Sequence, residues 1–343
     1  MKRRKFMAAS IGLGAAAIAG GWQLIDNHAG PGMMLRSDFL PSGQRLYNGA
    51  DLAFGTTISV QLLHVDEKQA NLAIEDAFAA AKSIDSLMSI YRQGSQVFTL
   101  NASGRLDHPD RHLRTVLQIS RDLSELTDGA FDVTVQPLWS AYSNAGARGG
   151  LPAGEERERA RRLVDWRQLA FSEHRVQLLR PGMAITLNGI AQGYATDLAL
   201  AAVRKRGIEH ALLDMGEFGA VGSREEGRPW MIGIQDPRKK ERLPRILQMD
   251  GRGVATSGDY ETYFSADFSQ HHIFDPRTGR SPPDLASVTV VAPTVVLADG
   301  LSTAMMVMGP ANAMKLTLEL PNVDAMLIDK AGARWQSPGF PWS

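Results

Sequence analysis

The chain contains no cysteine in 343 residues. That absence excludes disulfides, thiolate nucleophiles, cysteine-ligated zinc and lipid attachment through a cysteine. It also suits a protein exported into an oxidising compartment. Net charge is lacking too, because 37 Lys and Arg balance 37 Asp and Glu. With no basic stripe, the sequence argues against nucleic acid as a partner. Long apolar runs are missing: Ile11 to Ala19 is too short and too rich in glycine to span a bilayer. No internal repeat appears, and no low-complexity segment beyond that run.

What is present begins at the N-terminus. Lys2-Arg3-Arg4-Lys5-Phe6-Met7 is a basic start with paired arginines, and Ala17-Ile18-Ala19 offers an Ala-x-Ala cleavage site before Gly20. Together with the apolar run they predict a Tat-type signal peptide over 1–19, the export route for proteins that are already folded. The expected location is the periplasm, with association to the inner membrane left open. Removing Lys2, Arg3, Arg4 and Lys5 lowers the basic count from 37 to 33 against 37 acids, so the mature chain is mildly acidic.

Residues 20–45 are punctuated by glycine and proline and read as a linker or irregular arm. Thr56 to His64 alternates and is β-branched, which predicts a strand. Apolar positions 73, 74, 77, 78, 81, 84, 87 and 90 predict an amphipathic helix from Ala70 to Tyr91. A second helix is expected over 112–127, ended by Asp128-Gly129. Asn144 to Glu158 reads as an exposed excursion. Strands are expected at 175–179, 183–187, 210–214, 229–235, 244–249, 286–292 and 323–328, with helices at 190–206, 296–308 and 311–319. Gly309-Pro310 separates the last two. Strand runs with hairpin-like neighbours and single intervening helices point to an α+β fold with mixed, largely antiparallel sheets and packed helices.

Several segments carry candidate chemistry. In Leu297-Ala-Asp-Gly-Leu-Ser-Thr-Ala304, the oxygens of Asp299, Ser302 and Thr303 share one helix face. Hard oxygen donors without Cys or His suit Mg²⁺ or Ca²⁺ rather than zinc. The structural alternative is an N-cap aspartate with hydroxyls bonding back into the helix. Asn188-Gly-Ile-Ala-Gln-Gly-Tyr194 is a glycine-spaced turn into a helix, where free backbone N–H groups suit phosphate. Its glycines equally serve close packing. Thr256-Ser-Gly-Asp-Tyr-Glu261 reads as a small-polar turn with Gly258 at positive φ. His271-His-Ile-Phe-Asp-Pro-Arg-Thr-Gly279 offers a histidine near a carboxylate, or simply an Asx-initiated β-turn.

In combination and in order, these segments resemble the ApbE family of FAD:protein FMN transferases. The matching residues are Phe54-Gly-Thr-Thr57, Ser89-Ile-Tyr-Arg92, Gly129-Ala-Phe-Asp132, Asn188 to Tyr194, Thr256-Ser-Gly-Asp259, His272 to Gly279 and Asp299-Gly-Leu-Ser-Thr303. The resemblance implies a T-fold-related catalytic domain over 46–335 with a cleft for FAD, followed by a C-terminal tail at 336–343. It implies Mg²⁺-dependent transfer of FMN from FAD to a Thr or Ser hydroxyl of an acceptor protein, a membrane redox subunit, with release of AMP. On the same basis Asp299, Thr303, Ser302 and the Ala191 carbonyl would surround the metal. Phe54, Tyr91, Ala130, Phe131 and Asp132 would contact the flavin ring, and Asn188, Tyr194, His272 and Ile273 the nucleotide. His272 or Asp259 would serve as base toward the acceptor hydroxyl.

Three positions depart from the family pattern. Phe54 stands where methionine is frequent, Thr186 where aspartate is frequent, and Gln192 where lysine is frequent. The last two remove an acid and a base together. FAD hydrolysis to FMN and AMP, and non-catalytic FAD storage, are the alternatives to transfer; Asp299, Thr303 and His272 favour catalysis.

Overall fold

β-branched segments and a few amphipathic ones build this protein around a single large sheet, seen here in a computed structural model. It describes residues 34–39, 43–225, 227–238 and 245–342. The expected signal peptide at 1–19 lies outside them. In chain order, the first elements are strands Met34–Phe39 (β1), Arg45–Ala53 (β2) and Thr56–His64 (β3). Helices Glu67–Met88 (α1) and Gln96–Ser103 (α2), strand Arg105–Asp107 (β4) and helix Arg111–Leu126 (α3) follow. Helices Gln136–Ala147 (α4) and Gly154–Arg161 (α5) precede strands Leu169–Phe171 (β5) and Arg175–Leu178 (β6). Then come helix Ala191–Lys205 (α6) and strands His210–Asp214 (β7), Phe218–Val221 (β8), Met231–Ile234 (β9), Arg245–Gln248 (β10) and Gly253–Gly258 (β11). Strand Leu285–Ala292 (β12), helix Val295–Glu319 (α7) and strands Asp324–Asp329 (β13) and Arg334–Gln336 (β14) close the chain.

The main sheet runs β1-β2-β3-β7-β8-β11-β12-β13-β14, and every pairing in it is antiparallel. Helices α1, α6 and α7 pack together on one face. Trp230, Leu247 and Phe340 cover the opposite face over Leu63, Val291 and Met326. β12 is buried at all its positions because both its faces are covered. The expected arm at 20–45 thus contributes the edge strand β1, and the expected tail at 336–343 contributes buried Phe340.

Local chemistry explains where the elements stop. Asp66 caps α1 by accepting the Gln69 N–H at 3.0 Å, and the helix ends at Met88, before the expected Tyr91. The Ser89 hydroxyl accepts the Tyr91 and Arg92 N–H groups, both at 3.2 Å, and so turns that segment out of the helix. Gly309, at φ 75°, breaks α7 just before Pro310, at the expected boundary.

Two further segments depart from expectation. Thr256 to Gly258 lies in β11 rather than a turn, and Gly258 does not have positive φ; a Cβ there would sit 2.2 Å from the Tyr260 ring. The segment 183–187 is not a strand. Its central backbone groups are taken by a side chain: Asn101 donates to the Ile185 carbonyl at 2.8 Å and accepts the Ile185 N–H at 2.7 Å. No helix among the described residues is long and apolar enough to cross a membrane.

Asn101→Ala leaves both Ile185 backbone groups without these partners. The loss expected from urea unfolding is about 2 kcal/mol; an unchanged midpoint would show that the clamp contributes nothing.

Candidate active site

A cavity of about 680 Å³ opens where the β2–β3 turn, the end of α1 and the N-terminal halves of α6 and α7 converge. That size falls in the range of small-molecule sites. Its most distinctive property is its charge. Asp85, Asp132, Asp214, Glu217, Glu261 and Asp299 line it, and no described lysine or arginine does.

The cavity floor is set by the crossing of α6 and α7. A Cβ on Gly193 would lie 2.6 Å from the Val295 carbonyl and 2.7 Å from the Asp299 Cβ, so only glycine permits this approach. At the contact, the Gly193 N–H donates to Asp299 Oδ2 at 2.9 Å. Asp197 of α6 reaches across to accept the Val295 and Val296 N–H groups at 3.0 and 2.9 Å, capping α7 together with Thr294. Asp299 is therefore not the N-cap; it sits inside the helix, 4% exposed. Burial foremost, with the Asp197 charge adding to it, pushes its pKa up to about 7 against the hydrogen bond from Gly193.

Thr303, one turn on, also faces the cavity. Ser302 does not: its hydroxyl donates to the Asp299 carbonyl at 2.9 Å and lies 2.7 Å from Ser257 Oγ. Ser257 also reaches Thr303 Oγ1, at 3.2 Å, and so links β11 to α7. Ala191 opens α6 in the cavity wall.

Two acids missed by the sequence reading complete this end. Glu217 is pushed well up by burial, then by the charges of Asp299, Asp214 and Glu261, while accepting the Thr256 N–H at 3.1 Å. Asp214 is raised to about 6 by burial, opposed by the Gly216 N–H. Both flank the Met215-Gly216 turn after β7. An acid on each side of a glycine turn at a strand end was the available signal.

At the other end, Phe54 and Gly55 form the two-residue β2–β3 turn with φ of 54° and 76°. Left-handed backbone is costly for phenylalanine. Asp85 of α1 accepts the Phe54 N–H and holds the turn against the cavity. Tyr91 is 66% exposed and meets the Trp139 ring edge-on at 6.0 Å, a partner the sequence did not suggest. Ala130, Phe131, Asp132, Asn188, His272 and Ile273 also line the cavity, as do Thr186 and Gln192.

Two further expected residues lie away from the cavity. The Tyr194 hydroxyl is 2.8 Å from His112 Nδ1 and ties α6 to α3. Asp259 is fully buried, with both oxygens held by the Arg238 guanidinium at 2.7 and 2.6 Å and Lys330 at 3.8 Å. A carboxylate bound on both oxygens and out of reach of the cavity is an ion-pair anchor rather than a base. His272 is at the cavity, where Nδ1 donates to the Thr262 carbonyl at 3.1 Å and leaves Nε2 with its lone pair. Burial lowers its pKa, which favours the neutral base.

No group of three or more His, Cys, Asp or Glu side chains among the described residues forms a ready metal cage. Asp299 and Thr303 nevertheless fit Mg²⁺, which takes one or two protein oxygens and completes its shell with water and phosphate. A cavity lined by this many carboxylates, with no lysine or arginine among its described lining residues, repels an anionic ligand unless a cation accompanies it.

Fold and cavity together define an α+β protein with an acidic small-molecule cleft suited to oxygen-ligated cations. The chain belongs to the ApbE family, whose sequence model matches residues 54–327. It is similar to the FAD:protein FMN transferase of Escherichia coli K12, 29% identical over 83% of this chain and 86% of the relative. The enzyme of the same name from Vibrio cholerae is 30% identical over 80% and 85%. Among solved structures, the ApbE protein of Thermotoga maritima superposes with a TM-score of 0.75 at 31% identity, covering 85% of this chain and 97% of that one. The flavinyl transferase ApbE of Pseudomonas stutzeri gives 0.74 at 28% identity, covering 86% and 95%.

Asp132 provides a pH signature. It is buried, and burial raises its pKa to about 6 despite hydrogen bonds from Thr134 Oγ1 (2.6 Å), Thr134 N–H (2.7 Å) and Trp166 N–H (3.1 Å). Because the folded state holds this proton more tightly, stability falls as pH rises from about 4 to about 6 and is level above. Relative to Asp132→Asn, the wild type should lose up to roughly 3 kcal/mol across that window in urea titrations. A pH-independent difference would refute the buried, proton-holding carboxylate.

Proposed function

We propose that this protein is an FAD:protein FMN transferase. It splits the FAD diphosphate and passes the FMN phosphoryl group to a Thr or Ser hydroxyl of an acceptor protein, with AMP as leaving group. The observation that carries this reading is the pairing of aromatic and acidic ends in one cavity. Phe54, Tyr91 and Trp139 suit a flat flavin ring, while Asp299 and Thr303 suit a cation that accompanies a diphosphate.

Asp299, Thr303 and the Ala191 carbonyl would hold Mg²⁺. When bound, such an ion supplies neutralisation of the negative charge on the phosphates and on departing AMP. The protein's own part is positioning and proton transfer. His272 Nε2 takes the acceptor hydroxyl proton as the new O–P bond forms and the diphosphate P–O bond breaks. The Thr262 carbonyl fixes the imidazole tautomer that can do this. Export through the Tat-type signal would place the reaction in the periplasm, where membrane redox subunits present acceptor segments.

The test incubates the protein with FAD, Mg²⁺ and an acceptor carrying a flavinylation-type threonine. FMN mass on the acceptor with released AMP supports the proposal. AMP with free FMN and no adduct would establish a pyrophosphatase, and intact bound FAD a storage protein.

Asp299→Asn should abolish Mg²⁺-dependent transfer. It should also raise Tm in metal-free buffer at about pH 8, since the raised pKa marks the ionised carboxylate as destabilising there. Wild-type turnover at limiting Mg²⁺ would sink the metal assignment. His272→Gln should slow transfer by about 10²-fold or more with FAD affinity retained; unaltered kinetics would remove His272 as base.

A further inference from the structure

Beside the acidic cavity lies a second recess of about 620 Å³ with the opposite character. Arg161, Arg162, Arg167, Arg180 and Arg277 line it, against Asp128, Asp132 and Asp165. Asp132 belongs to the walls of both spaces, so the recess adjoins the cavity directly. The arginines come from the end of α5, the segment leading to β5, the turn after β6 and the Arg277 loop, so only the fold gathers them.

Their internal pairing leaves capacity unused. Arg161 and Arg162 share the single Glu158 carboxylate, while Arg180 binds Asp165. Arg277 binds Asp275 but its side chain is still 64% exposed. The Arg167 guanidinium lies over the Trp166 ring at 4.4 Å, with no carboxylate bonded to it among the described residues. A guanidinium placed over an indole face can still offer N–H groups to a carboxylate.

We propose that this recess docks an acidic segment of the acceptor polypeptide and delivers the neighbouring Thr or Ser hydroxyl into the cavity. The inference rests on the transferase reading for the hydroxyl's fate, but the docking itself does not. Two features favour a polypeptide carboxylate as occupant. The recess opens to solvent, which an extended chain needs, and five arginines against three aspartates give it a lining excess of two positive charges beside a cavity that repels acids. Attraction in the recess and repulsion in the cavity would together set the register, with the acidic residues outside and the neutral hydroxyl inside.

The experiment uses the whole protein with FAD and Mg²⁺ present. Its probes are a fluorescent peptide with one threonine flanked by Asp and Glu, and the same peptide with Asn and Gln in their place. Anisotropy should give about tenfold tighter binding of the acidic peptide, weakening as salt is raised. Arg167→Glu should erase that preference while FAD affinity and Tm stay at wild-type values. Equal binding of the two peptides, or a preference that survives Arg167→Glu, overturns the proposal. Loss of FAD affinity in the variant overturns it as well, because the recess would then serve the FAD phosphates. FMN mass on the bound peptide is read separately. Docking without transfer would count against the transferase reading and leave the recess assignment standing.

Discussion

The site depends on the close crossing of α6 and α7. Gly193 has no side chain, and the space left is filled by the Val295 carbonyl and the Asp299 Cβ. That contact brings a backbone N–H to the carboxylate it partly stabilises. Asp197, one turn along α6, accepts the first N–H groups of α7 and fixes the rotation of the helix. With the rotation fixed, Asp299 and Thr303 face the cavity and Ser302 faces Ser257. A bulkier residue at Gly193 would separate the helices and disperse the oxygen face.

Charge segregation is the second organising feature. The chain is formally neutral, yet Asp85, Asp132, Asp214, Glu217, Glu261 and Asp299 line the cavity while a group of arginines collects just outside. Burial is the main cause that raises Asp299, Asp214 and Glu217 together, with neighbouring carboxylates adding to it at Asp299 and Glu217. Protonation of these carboxylates would therefore compete with binding of a cation. The Thr186 and Gln192 departures fit this pattern in part. The Gln192 amide lies against Gly216, at a site where a Cβ would be 1.8 Å away, so a neutral side chain fills the place beside the acids. Thr186 accepts the Asn188 N–H at 3.3 Å and shapes the turn without adding charge.

Much of the site was legible because its residues lie in short, ordered motifs. Phe54, Tyr91, Asp132, Asn188, Ala191, His272, Asp299 and Thr303 all line one cavity. Asp259 was misplaced for a physical reason: its partner Arg238 is distant in sequence, and nothing local marks a carboxylate that will be bound on both oxygens. Tyr194 sits on the same helix as Gly193, yet helical rotation sends its hydroxyl to His112. The segment 183–187 carries β-branched and apolar residues, but Asn101 holds its central backbone groups from across the fold.

The sequence by itself determined the α+β class, the main helix and strand periods, the break at Gly309 and the family to which the chain belongs. Hydrophobic periodicity and glycine or proline punctuation are local properties, and a string of ordered motifs survives without coordinates. Only the tertiary structure decided which oxygens face the cavity, which carboxylates are bound elsewhere, and that Glu217 and Asp214 join Asp299. Those outcomes depend on helix rotation, strand-end position and partners distant in the chain. The arginine recess is likewise a product of folding, since its side chains converge from four separate segments beside Asp132.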